Sequence, residues 1–308
     1  MADVAIERLG KRFASPVVLA SGPAGFGMEL QGEIDLSCIG ALTAKTVTPM
    51  SRIGNPQPRL IDCACGALNS IGLENPGFKV FRESILPVVL GLPTQHIVSL
   101  SAPTADQLAW MAAELASIDG ICAVELNLSC PNVSLGVVGA DPVAVREYVE
   151  AARVEGGHPV LVKLPGDAGD LLASAGAALD AGAAGLTLIN TVRGMRINRN
   201  SGQPFLHRAY GGLCGPAILP IALARVFEAR QAFPDTVIIG TGGVTDVGSL
   251  VEMLLAGADL VGLGFGLMAD PELPQRLHGE LNTWLTERGI GSVEEIIGAA
   301  HQGGIDVH

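Results

Sequence analysis

Eight short runs of apolar residues, rich in Val, Ile and Leu, recur along the chain at regular spacing. Most of them are continuous rather than alternating, which is typical of parallel strands covered on both faces. We predict strands at residues 17–22, 40–48, 96–100, 123–129, 160–165, 185–190, 236–243 and 260–266.

Stretches with helical period or helix start signals lie between these runs. Thr104, Asp141 and Asp246 stand where a side chain would cap a helix, and Pro142 stands at a first helical position. We predict helices at 104–118, 143–154, 167–181, 216–232, 247–256 and 270–286. This alternation predicts an α/β fold, a (β/α)8 TIM barrel, as a single domain over residues 1–308. An open doubly wound sheet is the alternative, but no early GxGxxG fingerprint supports it.

Two longer insertions interrupt the alternation. Residues 49–77 are rich in Pro, Gly and Asn, and residues 193–215 are polar. Both follow predicted strands, so in a barrel they would cover the C-terminal mouth, where active sites are built.

Composition narrows the functional classes. With 19 Lys and Arg against 31 Asp and Glu, the formal net charge is −12, which argues against nucleic-acid binding. No apolar stretch approaches the ~18–20 residues of a membrane span, and the N-terminus lacks the order of a secretion signal. Six cysteines without a CxxC pair form no disulfide framework, so we expect a cytoplasmic protein with reduced thiols.

Two lysines stand on strands that should be buried. Lys163 shares a strand face with Leu161, and Lys45 lies at the end of the second predicted strand. Removing an ammonium group from water is costly, so each lysine requires a partner or a function. The interpretations are a structural ion pair, a strand end that reaches solvent, a Schiff-base lysine, and a cation opposite a developing anion.

One cysteine stands in an unusually polar setting. Cys130 follows the fourth predicted strand and lies between the amides of Asn127 and Asn132. A lone cysteine is usually a small buried hydrophobe, but a thiol in this setting could act as an acid or a base. Cys63 and Cys65 lack a matching Cys or His group, so we expect no metal site there.

Amides and glycines cluster at the predicted strand ends. The amides are Asn69, Asn127, Asn132 and Asn190. Together they suit a planar ligand that carries imide N–H and C=O groups and a carboxylate. Glycines crowd residues 240–243 and 262–266, where bare backbone N–H groups can bind phosphate, and the turn at 211–216 adds a further donor.

The motifs that hold these residues resemble those of the class 1 dihydroorotate dehydrogenases, over residues 17–270. They are Lys45-Thr46-Val47-Thr48, Leu68-Asn69-Ser70-Ile71-Gly72-Leu73, Asn127-Leu128-Ser129-Cys130-Pro131-Asn132, Val162-Lys163-Leu164-Pro165, Ile189-Asn190-Thr191 and Gly240-Thr241-Gly242-Gly243. The resemblance implies an FMN-bearing barrel that oxidises (S)-dihydroorotate to orotate in de novo pyrimidine biosynthesis.

The resemblance also implies roles for individual residues. Cys130 would be the base that takes the C5 proton while the C6 hydride passes to FMN, and Lys163 would stabilise the anionic reduced ring. The implied substrate-binding residues are Lys45, Asn69, Ile71, Gly72, Leu73, Asn127, Asn132, Asn190 and Thr191. The implied cofactor-binding residues are Ala20, Ser21, Gly22, Lys45, Thr46, Asn127, Lys163, Ile189, Gly215, Gly242, Gly243, Gly264 and Phe265.

Within class 1 the chain is more similar to type 1B, through residues 68–73, 191–197 and 211–218. Type 1B implies a homodimer, and a heterotetramer with an electron-transfer subunit that carries FAD and a 2Fe-2S cluster and passes electrons to NAD. The chain has no cluster motif of its own. The homodimeric, fumarate-using type 1A is the alternative.

Some stretches depart from the family pattern. Residues 133–139 are apolar where the family has a basic, Gly-rich loop, residues 62–65 replace a Thr-Pro stretch, and Cys214 stands where Ser is common. A flavin dehydrogenase acting on another dihydropyrimidine is therefore a second interpretation. A third interpretation is an aldolase or lyase that forms a Schiff base at Lys163, which would give Cys130 and the amides no role. The fourth interpretation is a barrel that binds a ligand or partner without catalysis.

Overall fold

Sixteen strands are present in the computed structural model, which describes residues 2–128, 131–132, 136–167 and 169–305, with residues 131, 132 and 136 described as backbone alone. The strands are β1 (Ile6–Arg8), β2 (Lys11–Phe13), β3 (Val17–Leu19), β4 (Ala41–Thr43), β5 (Leu60–Cys63), β6 (Gly66–Asn69), β7 (Gln95–Leu100), β8 (Ile121–Asn127), β9 (Pro131–Asn132), β10 (Gly136–Val137), β11 (Val160–Lys163), β12 (Gly185–Leu188), β13 (Val192–Gly194), β14 (Gly211–Cys214), β15 (Val237–Thr241) and β16 (Leu260–Leu263).

Eight of these strands close into a parallel barrel. The pairing order is β3, β4, β7, β8, β11, β12, β15 and β16, and β16 pairs with β3 to complete the ring. Each predicted strand is a barrel strand, so the predicted (β/α)8 barrel is confirmed. Most barrel strands end earlier than predicted, because the chain beyond them turns into the loops of the mouth.

Helices cover the outside of the barrel. They are α1 (Phe78–Val80), α2 (Leu86–Val89), α3 (Ala105–Leu115), α4 (Pro142–Ala152), α5 (Leu171–Asp180), α6 (Leu219–Ala232), α7 (Val247–Leu255), α8 (Phe265–Ala269) and α9 (Leu273–Glu287). Side chains of Thr104, Asp141, Asp170 and Asp246 accept from backbone N–H groups at the starts of α3, α4, α5 and α7. The six predicted helices are thus confirmed.

Two strand-to-strand connections differ from the predicted pattern. Between β3 and β4 the chain forms two 3-10 turns, Met28–Leu30 and Leu36–Cys38, instead of an α-helix. After β4, α1 and α2 are joined by a π-helical turn, Phe81–Ile85. No start signal marks this segment in the sequence, because Gly77 offers no capping side chain.

The foot of the barrel, where its strands begin, is covered by the antiparallel hairpin of β1 and β2. Asp259, just before β16, is 4% exposed. Its carboxylate accepts from Arg8 Nε (2.6 Å), Arg230 Nη2 (2.6 Å) and the backbone N–H of Ile238 (2.8 Å). This charge cluster joins the hairpin, α6 and two barrel strands.

The two insertions meet in a second sheet, which we call the insertion sheet, with the order β13, β14, β6 and β5. Asn69 of β6 pairs with Gly212 of β14, and the register places Ala67 opposite Cys214. Because residues 49–77 follow β4 and residues 193–215 follow β12, the sheet joins opposite sides of the mouth. Among the described helices, none is long and apolar enough to span a bilayer.

Candidate active site

A buried lysine stands at the centre of the mouth. Lys163 ends β11, is 5% exposed, and lies in register between Asn127 of β8 and Thr187 of β12. Among the described residues no hydrogen bond or ion pair reaches its ammonium group. A structural ion pair therefore finds no support in the described part of the chain, and the cation suits an anionic ligand.

The second predicted lysine lies beside the end of β3. Lys45 is half-buried, and its backbone N–H donates to Gly25 O at 2.8 Å. A Cβ atom built on Gly22 would lie 3.7 Å from Lys45 Nζ. The absence of a side chain at Gly22 thus leaves room beside the ammonium group, and two predicted ligand-binding positions are adjacent.

Hydroxyl groups connect the ends of three barrel strands. Ser21 Oγ lies 2.9 Å from Ala44 O and 3.0 Å from Thr46 Oγ1. Asn127 Nδ2 donates to Thr46 Oγ1 at 3.1 Å. The nearby Ala20 N–H donates to Leu263 O at 3.0 Å. The structure therefore brings Ser21, Thr46 and Asn127 together, as expected.

Beneath these hydroxyls lies a buried carboxylate that no sequence prediction included. Glu125 is 2% exposed, and its two oxygens accept from Ser99 Oγ (3.0 Å) and Thr187 Oγ1 (2.9 Å). Ser99 Oγ also lies 2.9 Å from Thr46 Oγ1. The signal that identifies Lys163, a charged residue inside an apolar strand, is equally present at Glu125.

The insertion sheet supplies a further amide. Asn69 Nδ2 donates to Gly212 O at 3.1 Å and lies 3.9 Å from Cys214 Sγ. Burial raises the pKa of the Cys214 thiol, and the thiol donates to Ala67 O. Thr191 packs on the other side of Gly212, where a Cβ atom would collide with Thr191 Oγ1. Asn69 and Thr191 are thus brought to the same strand.

The remaining predicted site residues lie either at the ends of barrel strands or in the first insertion. Asn190 N donates to Leu164 O at 3.0 Å, and the backbone N–H of Ile189 donates to Thr241 O at 2.8 Å, so both lie at barrel strand ends. The segment from Ile71 to Leu73 is held inside the first insertion, where Ile71 O accepts from the Asn55 N–H and Gly72 O from Arg52 Nε.

Four glycines form a corner between β15, α6 and α8. Gly242 and Gly243 follow β15 with φ of 137° and 82°, a region that other residues rarely adopt. A Cβ atom on Gly215 would lie 3.2 Å from the Phe265 ring, whereas one on Gly264 would meet nothing within 4 Å. The corner is therefore open at Gly264.

The polar groups of this corner lack protein partners. Within the described ranges, the backbone N–H groups of Gly242, Gly243 and Gly264 donate no hydrogen bond. Thr241 Oγ1 is buried and also finds no hydrogen-bond partner in the part of the chain that the structure describes. Orphaned donors beside an open space suit a phosphate group, so these residues fit the phosphate end of a nucleotide cofactor.

The structure does not describe the side chains of two predicted site residues, Cys130 and Asn132. Cys130 lies outside the described residues, and Asn132 is described only as backbone, in β9. Their predicted roles stay predictions. Among the described residues no group of three His, Cys, Asp or Glu is arranged to hold a metal ion.

Fold and site together are those of a TIM-barrel enzyme, whose mouth holds a buried lysine and an open glycine corner at the face where this fold builds its active sites. A sequence profile of the dihydroorotate dehydrogenase family matches residues 3–285, so the chain belongs to this family and is an oxidoreductase.

Curated relatives agree with this assignment over nearly the full chain. The catalytic subunit of dihydroorotate dehydrogenase B (NAD(+)) from Desulforudis audaxviator is 38% identical over 302 residues, covering 97% of this chain and 98% of the relative. The same subunit from Carboxydothermus hydrogenoformans is 40% identical, covering 94% of each chain. The similarity to type 1B is thereby confirmed. A protein of Aquifex aeolicus, provisionally described as dihydroorotate dehydrogenase A (fumarate), is 37% identical, covering 97% of this chain and 99% of its own.

Proposed function

We propose that this chain is the catalytic subunit of an NAD-dependent dihydroorotate dehydrogenase that uses FMN to oxidise (S)-dihydroorotate to orotate. The observation that carries the proposal is Lys163, a buried cation that has no partner among the described residues and lies level with Asn127 at the mouth. The names of the type B relatives support the substrate and the electron acceptor.

The mouth would hold FMN by its two ends. The orphaned amides of Gly242, Gly243 and Gly264, with Gly215, would bind the phosphate. Phe265 would stand at the same phosphate end, and Ala20, Ser21, Gly22, Thr46 and Ile189 would line the ring. Bound FMN would supply the acceptor for two electrons. The Lys163 ammonium would then stabilise negative charge that develops on the pyrimidine edge of the ring.

The substrate would lie between FMN and the amides. Lys45, Asn69, Asn127, Asn132, Asn190 and Thr191, with the segment Ile71, Gly72 and Leu73, would bind it. Cys130 would take the C5 proton, the C6 hydrogen would leave with its electron pair, and the C5–C6 double bond of orotate would form. In this proposal one domain carries the whole reaction in the cytoplasm.

Electrons would leave through a partner. We infer a homodimer that binds an electron-transfer subunit carrying FAD and a 2Fe-2S cluster, which reduces NAD. Large apolar side chains stay exposed in the insertions and support a protein contact there. They are Met50, Ile53, Met195, Ile197 and Tyr210.

An anaerobic titration of the purified protein with dihydroorotate, followed at the visible flavin band, tests the proposal. Bleaching is expected, and fumarate or NAD with the partner subunit then identifies the acceptor. A yellow protein that does not bleach would indicate another dihydropyrimidine. A colourless protein that cannot be reconstituted with FMN would contradict the proposal and direct attention to Schiff-base chemistry at Lys163.

The base is tested separately. Cys130→Ala should slow flavin reduction by at least about a hundredfold, because general base catalysis typically contributes that much, while orotate binding changes little. Cys130→Ser should regain activity at raised pH, because a hydroxyl is the poorer base. Equal reduction rates in wild type and Cys130→Ala would remove this residue from the mechanism.

A further inference from the structure

The buried carboxylate of Glu125 begins a chain of hydrogen bonds that ends at the mouth. Ser99 Oγ lies 3.0 Å from Glu125 Oε1, Thr46 Oγ1 lies 2.9 Å from Ser99 Oγ, and Asn127 Nδ2 lies 3.1 Å from Thr46 Oγ1. Thr187 contacts the other carboxylate oxygen and has no part in this chain. The mechanism proposed above uses neither Glu125 nor Ser99.

The proton order in this chain follows from what each group can donate. Ser99 donates its single proton to Glu125 Oε1, and Thr187 donates to the other carboxylate oxygen. Thr46 Oγ1 lies between two hydroxyls, Ser99 Oγ at 2.9 Å and Ser21 Oγ at 3.0 Å, and Ser21 donates its own proton to Ala44 O. Neither neighbour therefore donates to Thr46, and the single proton of Thr46 is donated to one of them. Thr46 Oγ1 can only accept from Asn127, and this requires the NH2 end of the Asn127 amide to face it.

We propose that Glu125 is a positioning residue, which fixes the orientation of the Asn127 amide through Ser99 and Thr46. The carbonyl end, Oδ1, is thereby held on the side away from Thr46. Glu125 touches neither substrate nor cofactor in this proposal, which rests on the proposed function only for the identity of the ligands that Asn127 meets. The proposal gives a role to a carboxylate that accepts from two hydroxyls and, among the described residues, contacts no cation.

The deciding experiment is a set of double-mutant cycles on Asn127→Asp, measured as folding equilibrium constants from denaturant unfolding. The introduced carboxylate can only accept, so in the wild-type background two acceptors face each other at Thr46, and the folding constant should fall at least about tenfold. Ser99→Ala frees the Thr46 proton to be donated to the introduced carboxylate, so the loss there should be at least about fivefold smaller.

Measuring the effect of Asn127→Asp in two further variants shows whether proton order or another cause produces the loss of stability. Thr187→Val is the matched control, because it removes the other hydrogen bond to Glu125 but keeps the chain, and the loss should equal that in wild type within about twofold. Glu125→Gln should relieve the loss as Ser99→Ala does. Relief by Glu125→Gln alone would indicate simple charge repulsion and would overturn the proposal, as would equal losses in all backgrounds.

A binding measurement gives an independent readout in the oxidised holoenzyme. The dissociation constant of orotate, from the flavin difference spectrum, should rise at least about fivefold in Ser99→Ala and stay within about twofold in Thr187→Val. Equal dissociation constants for both variants would contradict the proposal. If Asn127→Asp does not fold, this comparison of orotate binding alone tests the proposal. If the wild type binds neither FMN nor orotate, the proposed function fails, while the unfolding cycles still decide the role of Glu125.

Discussion

The foot and the mouth of the barrel each hold a buried carboxylate, and the two are compensated differently. At the foot, Asp259 accepts from the guanidinium groups of Arg8 and Arg230 at 2.6 Å each. Near the mouth, Glu125 accepts from two neutral hydroxyls. A carboxylate shared by two arginines ties neighbouring elements together, whereas one that accepts from hydroxyls fixes the direction in which those hydroxyls donate.

The largest effect that this comparison predicts is on stability at the foot. Arg230→Met should lower the free energy of unfolding by ~3 kcal/mol, because it leaves a buried carboxylate with one partner fewer. Flavin reduction by the folded protein should be unchanged. The control is Arg225→Met on the same helix, whose ion pair with Glu228 is at the surface and should cost at most ~1 kcal/mol. Similar losses for both variants in denaturant unfolding would contradict the role of the foot cluster.

At the mouth we expect the reverse, a large loss of catalytic rate with little loss of stability. Lys163→Met should slow flavin reduction about a hundredfold, the size typical for loss of one stabilising charge. It should not lower stability, because it removes a buried ammonium group that has no described partner. Stopped-flow reduction and thermal unfolding measure the two properties, with the exposed Lys79→Met as control. A normal reduction rate would remove Lys163 from the proposed mechanism.

A smaller effect is expected on FMN binding, which should depend on a glycine of the corner but not on an equally open glycine elsewhere. Gly264→Ala places a methyl group in open space and should weaken FMN binding about tenfold, because the phosphate would occupy that space. The stability of the apoprotein should change by less than about 1 kcal/mol. Gly279→Ala in α9 is equally open and should leave FMN binding unchanged. Equal FMN dissociation constants for both variants would place the phosphate elsewhere.

The smallest expected effect is on the pH dependence of stability, through a buried histidine at the foot of the barrel. Burial lowers the pKa of His96, near the start of β7. Below the ordinary pKa of about 6.5 the unfolded chain therefore binds a proton that the folded chain does not, and stability falls as pH falls. The loss from this residue between pH 6.5 and 5.5 should reach at most ~1 kcal/mol. Unfolding curves of His96→Gln should show a flatter pH dependence, and an unchanged slope would argue against this assignment.

The barrel could be predicted because its strands are continuous apolar runs, and the helices because Thr104, Asp141 and Asp246 mark their starts. The insertion sheet could not, since β5, β6, β13 and β14 carry glycines and polar residues in place of continuous apolar runs. Its pairing depends on segments far apart in sequence, which local patterns do not encode.

The site was predicted unevenly for a physical reason. Lys163 and Asn127 stand out because a charge or an amide in an apolar strand demands an explanation. Ser99 and Thr187 are small hydroxyl residues that buried strands tolerate, so nothing in the sequence separates them from packing residues. Glu125 carried the same signal as Lys163, but its role depends on distances to hydroxyls on two other strands.

The pairing of β6 with β14 has a consequence for how the protein is made. The hydrogen bond between Asn69 and Gly212 closes a loop of 143 residues, so this contact forms only between segments far apart in the chain. A growing chain that has reached only β12 holds six of the eight barrel strands but lacks β14, one of the two strands that pair with β6. We therefore expect the enzyme to acquire its substrate-binding surface late in folding, and every N-terminal half-barrel fragment to be inactive, however well it folds.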